Sequence, residues 1–182
     1  MFLNCPNIRT FNAEIPSVTS TDNMFNNCGN FTDFTVEMPK VTSTNYMFSG
    51  CSSFTTFISD CPEVTNCNYM FNNCSKLNDV QCNFPKVTSL RYTFYGAGEL
   101  SNLSCSFPEV TTFDFSFAYS KIKEFTLDIP KLSDGYYGFY YCSNLEKIAS
   151  DFPLLQSANY MFYSCPKLKE VQQYSYPNLT TA

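Results

Sequence analysis

The ten cysteines have the widest choice of chemistry in this sequence, since a thiol can be a nucleophile, a metal ligand or half of a disulfide. A zinc site needs cysteine and histidine ligands at short spacings such as Cys-x₂₋₄-Cys. The sequence has no such cysteine pair and no histidine, so we predict no metal site. The usual general base and a Gly-rich phosphate loop are also missing. We therefore predict that the protein is not an enzyme and needs no cofactor.

Most of the cysteines share one position of a repeating pattern with other small side chains. This position holds Cys5, Cys28, Cys51, Cys74, Ala97, Ser120, Cys142 and Cys165. Because alanine and serine can replace cysteine there, the pattern indicates a need for small volume and predicts a buried ladder of free thiols. Parallel side chains would hold neighbouring Cβ atoms farther apart than the ~3.8 Å that a disulfide prefers. We therefore expect no routine cross-linking.

The other four cysteines lie outside that ladder. Cys61, Cys82 and Cys105 fall at positions whose neighbours in the pattern are apolar, which predicts that they pack inward on a strand. Cys67 is not explained by any of these rows. We interpret Cys67 as the candidate reactive thiol.

Acidic side chains form a second periodic row. Equivalent strand positions hold Glu14, Glu37, Asp60, Asn83, Ser106, Asp128 and Asp151. Like charges directly opposite each other on neighbouring strands are mildly destabilising. The acidic members of this row are therefore a candidate binding site for a cationic partner or a calcium ion. The alternative is a solvated face that prevents aggregation.

A third row is aromatic. It contains Tyr46, Tyr69, Tyr92, Phe115, Tyr137 and Tyr160, and further tyrosines crowd the same region of the pattern. If the rings face outward, they form a stacked stripe of the kind that holds glycans or protein partners. The alternative is a partly buried row in which each ring covers its neighbour. We take the tyrosines of this row as candidate binding residues.

All three rows follow from one repeat of 23 residues. The pair Met-Phe marks it at Met1-Phe2, Met24-Phe25, Met47-Phe48, Met70-Phe71 and Met161-Phe162, and phenylalanine alone continues the row at Phe94, Phe117 and Phe139. Within a unit, alternating apolar and polar residues predict a strand that a proline ends, and Val-Thr-Ser predicts a second short strand. The Asn- and Gly-containing stretch that follows suits a tight helical or 3₁₀ turn. The pattern predicts a mainly β solenoid with one repeat per turn.

The repeat runs through residues 1–182, so we predict one array of about eight repeats. Charges of alternating sign follow the prolines at Lys40, Glu63, Lys86, Glu109 and Lys131, which predicts ion pairs between neighbouring turns. Neither end of the array has a polar capping sequence. An uncapped solenoid exposes strand edges and core rings, so we expect end-to-end self-association or a longer parent polypeptide.

The unit Phe-Thr-x-Phe-x-x-x-x-Pro-x-Val-Thr-Ser-x-x-x-Met-Phe-x-x-Cys, as it stands at residues 31–51, resembles the BspA-type leucine-rich repeat. The Met-Phe-x-x-Cys part is similar to a related repeat of mycoplasma surface proteins. The resemblance implies a leucine-rich-repeat solenoid at the cell surface or outside the cell. It also implies adhesion to protein or glycan partners on a host or matrix surface. The alternative is a structural segment of a filament, a fibre or a virion, or an intracellular component.

Charge and hydropathy exclude two classes of partner. A formal net charge of −5 provides no basic field for phosphate backbones, so we expect no nucleic-acid binding. No stretch approaches the ~18 to 20 continuous apolar residues that cross a bilayer. We therefore predict no membrane span in this chain.

Overall fold

The computed structural model of the protein describes residues 1–171 and 177–181. Its strands are short, and each belongs to a different repeat. They are β1 (Asp33–Phe34), β2 (Thr56–Asp60), β3 (Asp79–Asn83), β4 (Asn102–Ser106), β5 (Glu124–Phe125), β6 (Lys147–Ile148) and β7 (Glu170–Val171). The first four form one sheet and the last three form another, in both cases in chain order.

All the strand pairs are parallel, and residues one repeat apart face each other. Phe34 pairs with Phe57, and Phe57 pairs with Val80, in the larger sheet. Phe125 pairs with Ile148 in the smaller sheet. This register confirms the prediction of a mainly β solenoid with turns of about 23 residues, because each chain turn hydrogen-bonds to the next turn at the same position of the repeat.

The second predicted strand of each repeat is reduced to one bridged residue. These bridges join Ser20 to Ser43, Ser43 to Asn66, Ser89 to Thr112, Thr112 to Asp134, Asp134 to Ser157, and Ser157 to Thr181. Threonines next to the bridges support the contact, since the Thr42 hydroxyl donates to the carbonyl oxygen of Thr19 over 3.0 Å. The Val-Thr-Ser segment therefore stacks turn on turn without extending into a longer strand.

Phenylalanine rings fill the core as a continuous stack. The ring centroids of Phe25 and Phe48 are 5.6 Å apart, and those of Phe48 and Phe71 are 5.9 Å apart. The stack continues through Phe94, Phe117 and Phe139 to Phe162. Phenylalanines of the strands meet it edge-on, as Phe57 meets Phe71 at 66°. Both arrangements are favourable for aromatic rings, and the stack agrees with the predicted solenoid of one repeat per turn.

The predicted helical or 3₁₀ turn is wrong for the part of the chain that the structure describes, where this segment is a run of separate turns. Met47, Ser49 and Cys51 donate their amides three residues back, over 3.1, 3.2 and 3.0 Å. The alternate amides donate instead to carbonyl oxygens of the next turn of the solenoid. These are the amides of Tyr46, Phe48 and Gly50, and Tyr46 donates to Asn68 over 3.0 Å. A helix would use every amide within the segment. Stacking takes every second amide and so prevents a helix.

Charged side chains join neighbouring turns in pairs. Lys86 contacts Glu63 at 2.6 Å, and Lys131 contacts Glu109 at 2.7 Å. Three further pairs are Lys123–Glu99, Lys147–Glu124 and Lys169–Glu146. The row behind the prolines therefore contains isolated pairs, and Lys40 takes no part in them. Each pair is exposed, so each stabilises the register by only about 0.2 to 1 kcal/mol.

Candidate functional site

Two rows of residues, four positions apart in the repeat, have left-handed backbone. The first row consists of Asn23, Tyr46, Tyr69, Tyr92, Phe115, Tyr137 and Tyr160, with φ between 52° and 59°. The second row consists of Asn4, Asn27, Gly50, Asn73, Gly96, Tyr119, Tyr141 and Ser164. Asparagine and glycine adopt this conformation easily, but a bulky aromatic residue rarely does. The first row is therefore conformationally costly at six successive positions.

Inter-turn hydrogen bonds hold these aromatic residues in the left-handed region. The amides of Tyr69 and Tyr92 donate to carbonyl oxygens of the next turn over 3.0 and 2.9 Å, and Tyr137 does the same over 3.0 Å. The conformation directs the amide along the solenoid axis, so a change of φ would break the bond to the next turn. Asparagines and glycines mark this geometry in the sequence, whereas tyrosine does not.

The six aromatic side chains of the first row stack into one ladder, here called the aromatic ladder. Successive ring centroids from Tyr46 to Tyr160 are 4.5, 4.7, 4.9, 4.6 and 4.8 Å apart, and no two neighbouring planes differ by more than 19°. Tyr46 and Tyr160 are exposed and the rings between them are half-buried. The two structural alternatives that the sequence left open therefore both hold in part. The faces cover each other, and the ring edges with their hydroxyl groups face solvent.

More tyrosines extend the ladder sideways near its C-terminal end. We call Tyr119, Tyr136, Tyr140, Tyr141 and Tyr163 the tyrosine patch. Tyr119 stacks on Tyr141 at 5.3 Å, and Tyr140 stacks on Tyr163 at 5.3 Å. Tyr140 also meets the ladder residue Tyr137 edge-on at 4.8 Å. Four members of the patch are between 39% and 49% exposed, so the patch presents several aromatic rings to solvent. The sequence showed these tyrosines as neighbours but not as one surface.

Several phenols in and beside the ladder and patch hold their protons more tightly than a free tyrosine does. Packing among the rings raises the pKa of Tyr46, Tyr92, Tyr95, Tyr137 and Tyr140, first by desolvation and then through neighbouring phenols or carboxylates. Arg91 places a cation at this surface, with its guanidinium carbon 5.9 Å from the centroid of the Tyr92 ring. Burial, and then the nearby Asp134, raise the pKa of Asp114 beside the ladder. The surface is therefore mainly neutral, aromatic and rich in hydroxyl groups.

The predicted acidic row does not form a compact site. Glu14, Glu37, Asp60 and Asp128 are exposed and Asp151 is half-buried. Asn83 and Ser106 follow Asp60 in the register of the larger sheet, so they separate the acidic residues of the first repeats from those of the last. Within residues 1–171 and 177–181, no three acidic or cysteine side chains are grouped as a metal site would require.

The first two acidic residues of the row border a concave surface. Glu14 and Glu37 line an open cleft of about 420 Å³ with Ile15, Pro16 and Pro39. Glu37 also accepts a hydrogen bond from the amide of Asp60 over 3.2 Å. The row is therefore a spread of negative charge along the strand segments, separate from the turn segments that carry the ladder.

The thiol ladder is unbridged, and the predicted burial holds for Cys28, Cys51, Cys74 and Cys142, whereas the end members Cys5 and Cys165 are half-buried. The ladder thiols also donate hydrogen bonds. From Cys28 onward, each ladder thiol donates to the carbonyl oxygen of a phenylalanine one turn earlier. The pairs are Cys28–Phe2, Cys51–Phe25, Cys74–Phe48, Cys142–Phe117 and Cys165–Phe139, with distances of 2.9, 3.0, 3.1, 2.9 and 3.0 Å. Burial raises the pKa of Cys51 to about 12. The ladder position thus uses both the small volume and the weak S–H donor of cysteine.

The structure contradicts the predicted reactivity of Cys67. Its side chain is fully buried, and burial raises its pKa to about 12. A thiol that is neutral and screened from solvent is a poor nucleophile. The inward packing predicted for three strand cysteines holds, since Cys61 is buried in the core and the half-buried Cys82 and Cys105 pack against it. The sulfur atoms of Cys82 and Cys105 are 2.9 Å apart, and both thiols are free.

Comparisons with known proteins agree with this geometry. A family model described as "Mycoplasma protein of unknown function, DUF285" matches residues 1–107. A model of the BspA type leucine rich repeat region matches residues 67–181 in six copies. No curated protein matches.

One of the solved structures with a similar fold is a leucine-rich repeat protein from Bacteroides ovatus, with a TM-score of 0.57 at 24% identity. The match covers 76% of this chain and 39% of that one, so this chain spans about two fifths of its length. At this identity the likeness shows the fold alone. No helix in the described residues is long and apolar enough to cross a membrane. By the family matches, the chain belongs both to the DUF285 family and to the BspA-type leucine-rich repeat proteins.

Proposed function

We propose that this protein is a non-enzymatic recognition module that binds a protein partner through the aromatic ladder and the tyrosine patch. The observation that carries the proposal is the left-handed backbone of six stacked aromatic residues. Asn23 occupies the same row, so the fold itself accepts a residue that needs no stacking there. Costly backbone conformations cluster at functional sites, where the surrounding structure sustains them.

The orientation of the rings favours a protein over a glycan. A sugar ring binds an aromatic side chain by lying flat on its face, but in the ladder a neighbouring ring covers each interior face. The accessible ring edges carry partial positive charge and the phenols can donate or accept hydrogen bonds. Such a surface suits carbonyl oxygens, carboxylates and aromatic rings of a polypeptide. Tyrosine also loses little conformational entropy on binding, since it has few rotatable bonds.

The acidic row has a subordinate role in this proposal. The whole chain has a formal net charge of −5. The acidic residues of the row contribute to this negative charge, and they are Glu14, Glu37, Asp60, Asp128 and Asp151. A spread of like charges attracts an oppositely charged partner over a distance and raises the association rate more than it lowers the dissociation rate. We therefore assign these residues to long-range attraction of a basic partner, and the contact itself to the tyrosines.

The protein would act in adhesion at a cell surface, which is the location that its family membership suggests. Residues 1–182 would act as one array. Repeat arrays bind through extended surfaces because each repeat contributes the same position to one face. The ladder follows this rule, with one aromatic ring per turn from Tyr46 to Tyr160.

Binding to arrays of purified host-surface and matrix proteins, printed beside a glycan array, tests the proposal. The variant pair is Tyr92→Ala with Tyr137→Ala, and the matched control is Glu14→Gln with Glu37→Gln. We expect saturable binding of the protein to protein spots. The tyrosine variant should lose this binding, and the glutamate control should differ only by a lower association rate. Thermal unfolding of both variants confirms that they are folded.

Saturable binding to glycans alone, or binding to proteins that survives the tyrosine changes, would refute the assignment. The alternative of a structural repeat segment predicts a different result. In that case, end-to-end polymers would appear in electron micrographs at rising protein concentration, and neither array would bind the protein.

A further inference from the structure

Cys82 and Cys105 lie outside the thiol ladder, and their side chains contact each other. They face each other in the parallel pairing of β3 with β4, and their sulfur atoms are 2.9 Å apart. Neighbouring Cα atoms of paired strands are about 4.8 Å apart, which is within the range of Cα distances that disulfides span. The thiols of the ladder also repeat once per turn, but each is directed at a carbonyl oxygen.

Accessibility also separates this pair from the ladder. Cys82 and Cys105 are half-buried, whereas Cys28, Cys51 and Cys74 are fully buried. The Cys105 thiol is 3.7 Å from the carbonyl oxygen of Val80, which is longer than the contacts of the ladder thiols with phenylalanine carbonyl oxygens. The two sulfur atoms therefore have each other as nearest polar partners, and a small oxidant can approach them.

We propose that Cys82 and Cys105 form a redox modification site, at which a low-molecular-weight disulfide of the glutathione type converts the two thiols into a disulfide between β3 and β4. The thiolate of one cysteine attacks a sulfur of the oxidant and forms a mixed disulfide, and one glutathione thiolate leaves. The second cysteine, after losing its proton, attacks the protein sulfur of that mixed disulfide. The second glutathione leaves, so two protein thiols are oxidised and one oxidant disulfide is reduced to two thiols.

The new bond would staple two adjacent turns in the middle of the array. It would close a chain loop that contains one complete repeat, including the ladder residue Tyr92. Confining such a loop lowers the conformational entropy of the unfolded chain. The oxidised protein would therefore unfold at a higher temperature than the reduced protein.

The rate of this oxidation depends on pH. Burial, and then the Cys105 thiol beside it, hold the pKa of Cys82 well above its ordinary value. Only the thiolate attacks a disulfide, so the rate rises about tenfold per pH unit below that pKa. The pair would thus stay reduced in weakly oxidising conditions and close under sustained oxidation.

The experiment uses the reduced full chain and oxidised glutathione, with acid quenching, alkylation of the remaining thiols, proteolysis and mass spectrometry. We expect the first cross-linked peptide to join Cys82 to Cys105, with the protein lighter by two hydrogen atoms. Cys105→Ser should stop at one glutathione adduct on Cys82, and it should lose the rise in unfolding temperature that the oxidised natural protein shows. Serine suits this position, because Ser59 faces Cys82 in the same register.

Cys5→Ser is the matched control, since Cys5 is half-buried but belongs to the thiol ladder. It should leave the cross-link and its rate unchanged. A rival pair is Cys142 and Cys165, because a hydrogen bond with Cys142 lowers the pKa of Cys165. If a bridge forms there first, or if Cys82 and Cys105 are both recovered alkylated after exhaustive oxidation, the proposal is wrong.

Discussion

The thiol of Cys51 donates to the carbonyl oxygen of Phe25, one turn earlier, over 3.0 Å. The same oxygen accepts the amide of Cys28 over 3.0 Å, so the thiol uses its second lone pair. Cysteine is therefore both a filler of small volume and a link between the turns. In the same row, Ala97 has no hydrogen-bond donor in its side chain, whereas Ser120 has a hydroxyl group. The chain itself therefore contains both residues that can replace cysteine at this position.

Substitution of Cys51 separates these two contributions. Cys51→Ala removes the donor and leaves a small void, so the free energy of unfolding should fall by about 1 to 2 kcal/mol. Cys51→Ser keeps a donor and should cost less than the alanine change. Urea denaturation under reducing conditions measures both. If serine proves more costly than alanine, the donor contributes nothing and only volume and polarity decide.

The interior of the aromatic ladder should tolerate loss of a hydroxyl but not loss of a ring. Tyr69 stacks on Tyr46 and on Tyr92, and each stack contributes about 0.5 to 1.5 kcal/mol. Tyr69→Ala should therefore destabilise the protein by about 1 to 3 kcal/mol, whereas Tyr69→Phe should leave the stability nearly unchanged. Tyr69→Asn should lie between them, because asparagine tolerates the left-handed backbone better than alanine does. Chemical denaturation of the three variants would show this order, and equal stabilities would exclude stacking as the compensating interaction.

Stability should fall in alkaline solution. Folding raises the pKa of the ladder thiol Cys51 to about 12 and also raises the pKa of Tyr46 and Tyr92. A raised pKa means that the folded state holds its proton more tightly, so the stabilisation is complete below the unfolded pKa and is lost as the pH rises through the folded pKa. The decline should begin near the ordinary thiol pKa of ~8.5 and steepen above ~10, where unfolded tyrosines ionise.

Urea denaturation from pH 7 to 11 under reducing conditions, combined with ultraviolet titration of the phenols, checks this dependence. Tyr46→Phe should weaken the decline above the tyrosine pKa and leave the thiol part unchanged. A free energy of unfolding that stays constant over this range would contradict the assigned pKa directions.

Two glycines should respond in opposite ways to alanine substitution. A Cβ atom at Gly98 would overlap the backbone carbonyl of Leu77 and lie 2.8 Å from its amide nitrogen. Because the obstacle is backbone, Gly98→Ala should cost about 1 to 3 kcal/mol. At Gly29 the nearest atom to such a Cβ is the Ser52 Oγ, at 3.6 Å, so Gly29→Ala should change stability little. Thermal unfolding compares the two, and a tolerated Gly98→Ala would mean that these turns are not packed as closely as described.

The sequence by itself determined which residues stack. In a solenoid one period of the sequence equals one turn of the chain, so Phe25 and Phe48 become neighbours once the period is known. The same rule placed Tyr46 on Tyr69 and Cys28 beside Cys51 in the predicted rows. These contacts can be predicted from the period of the sequence alone, without any information on the rest of the tertiary structure.

The tertiary structure alone decided the backbone of the turn segment and the environment of individual thiols. Tyr69 takes a left-handed conformation because its amide bonds to the next turn, and no local preference of tyrosine indicates this. Cys67 is buried, and Cys82 and Cys105 are accessible neighbours, because exposure depends on how the turns curve and pack around each position. Periodicity specifies which residues are adjacent, whereas inter-turn hydrogen bonding and packing set direction, conformation and access to solvent.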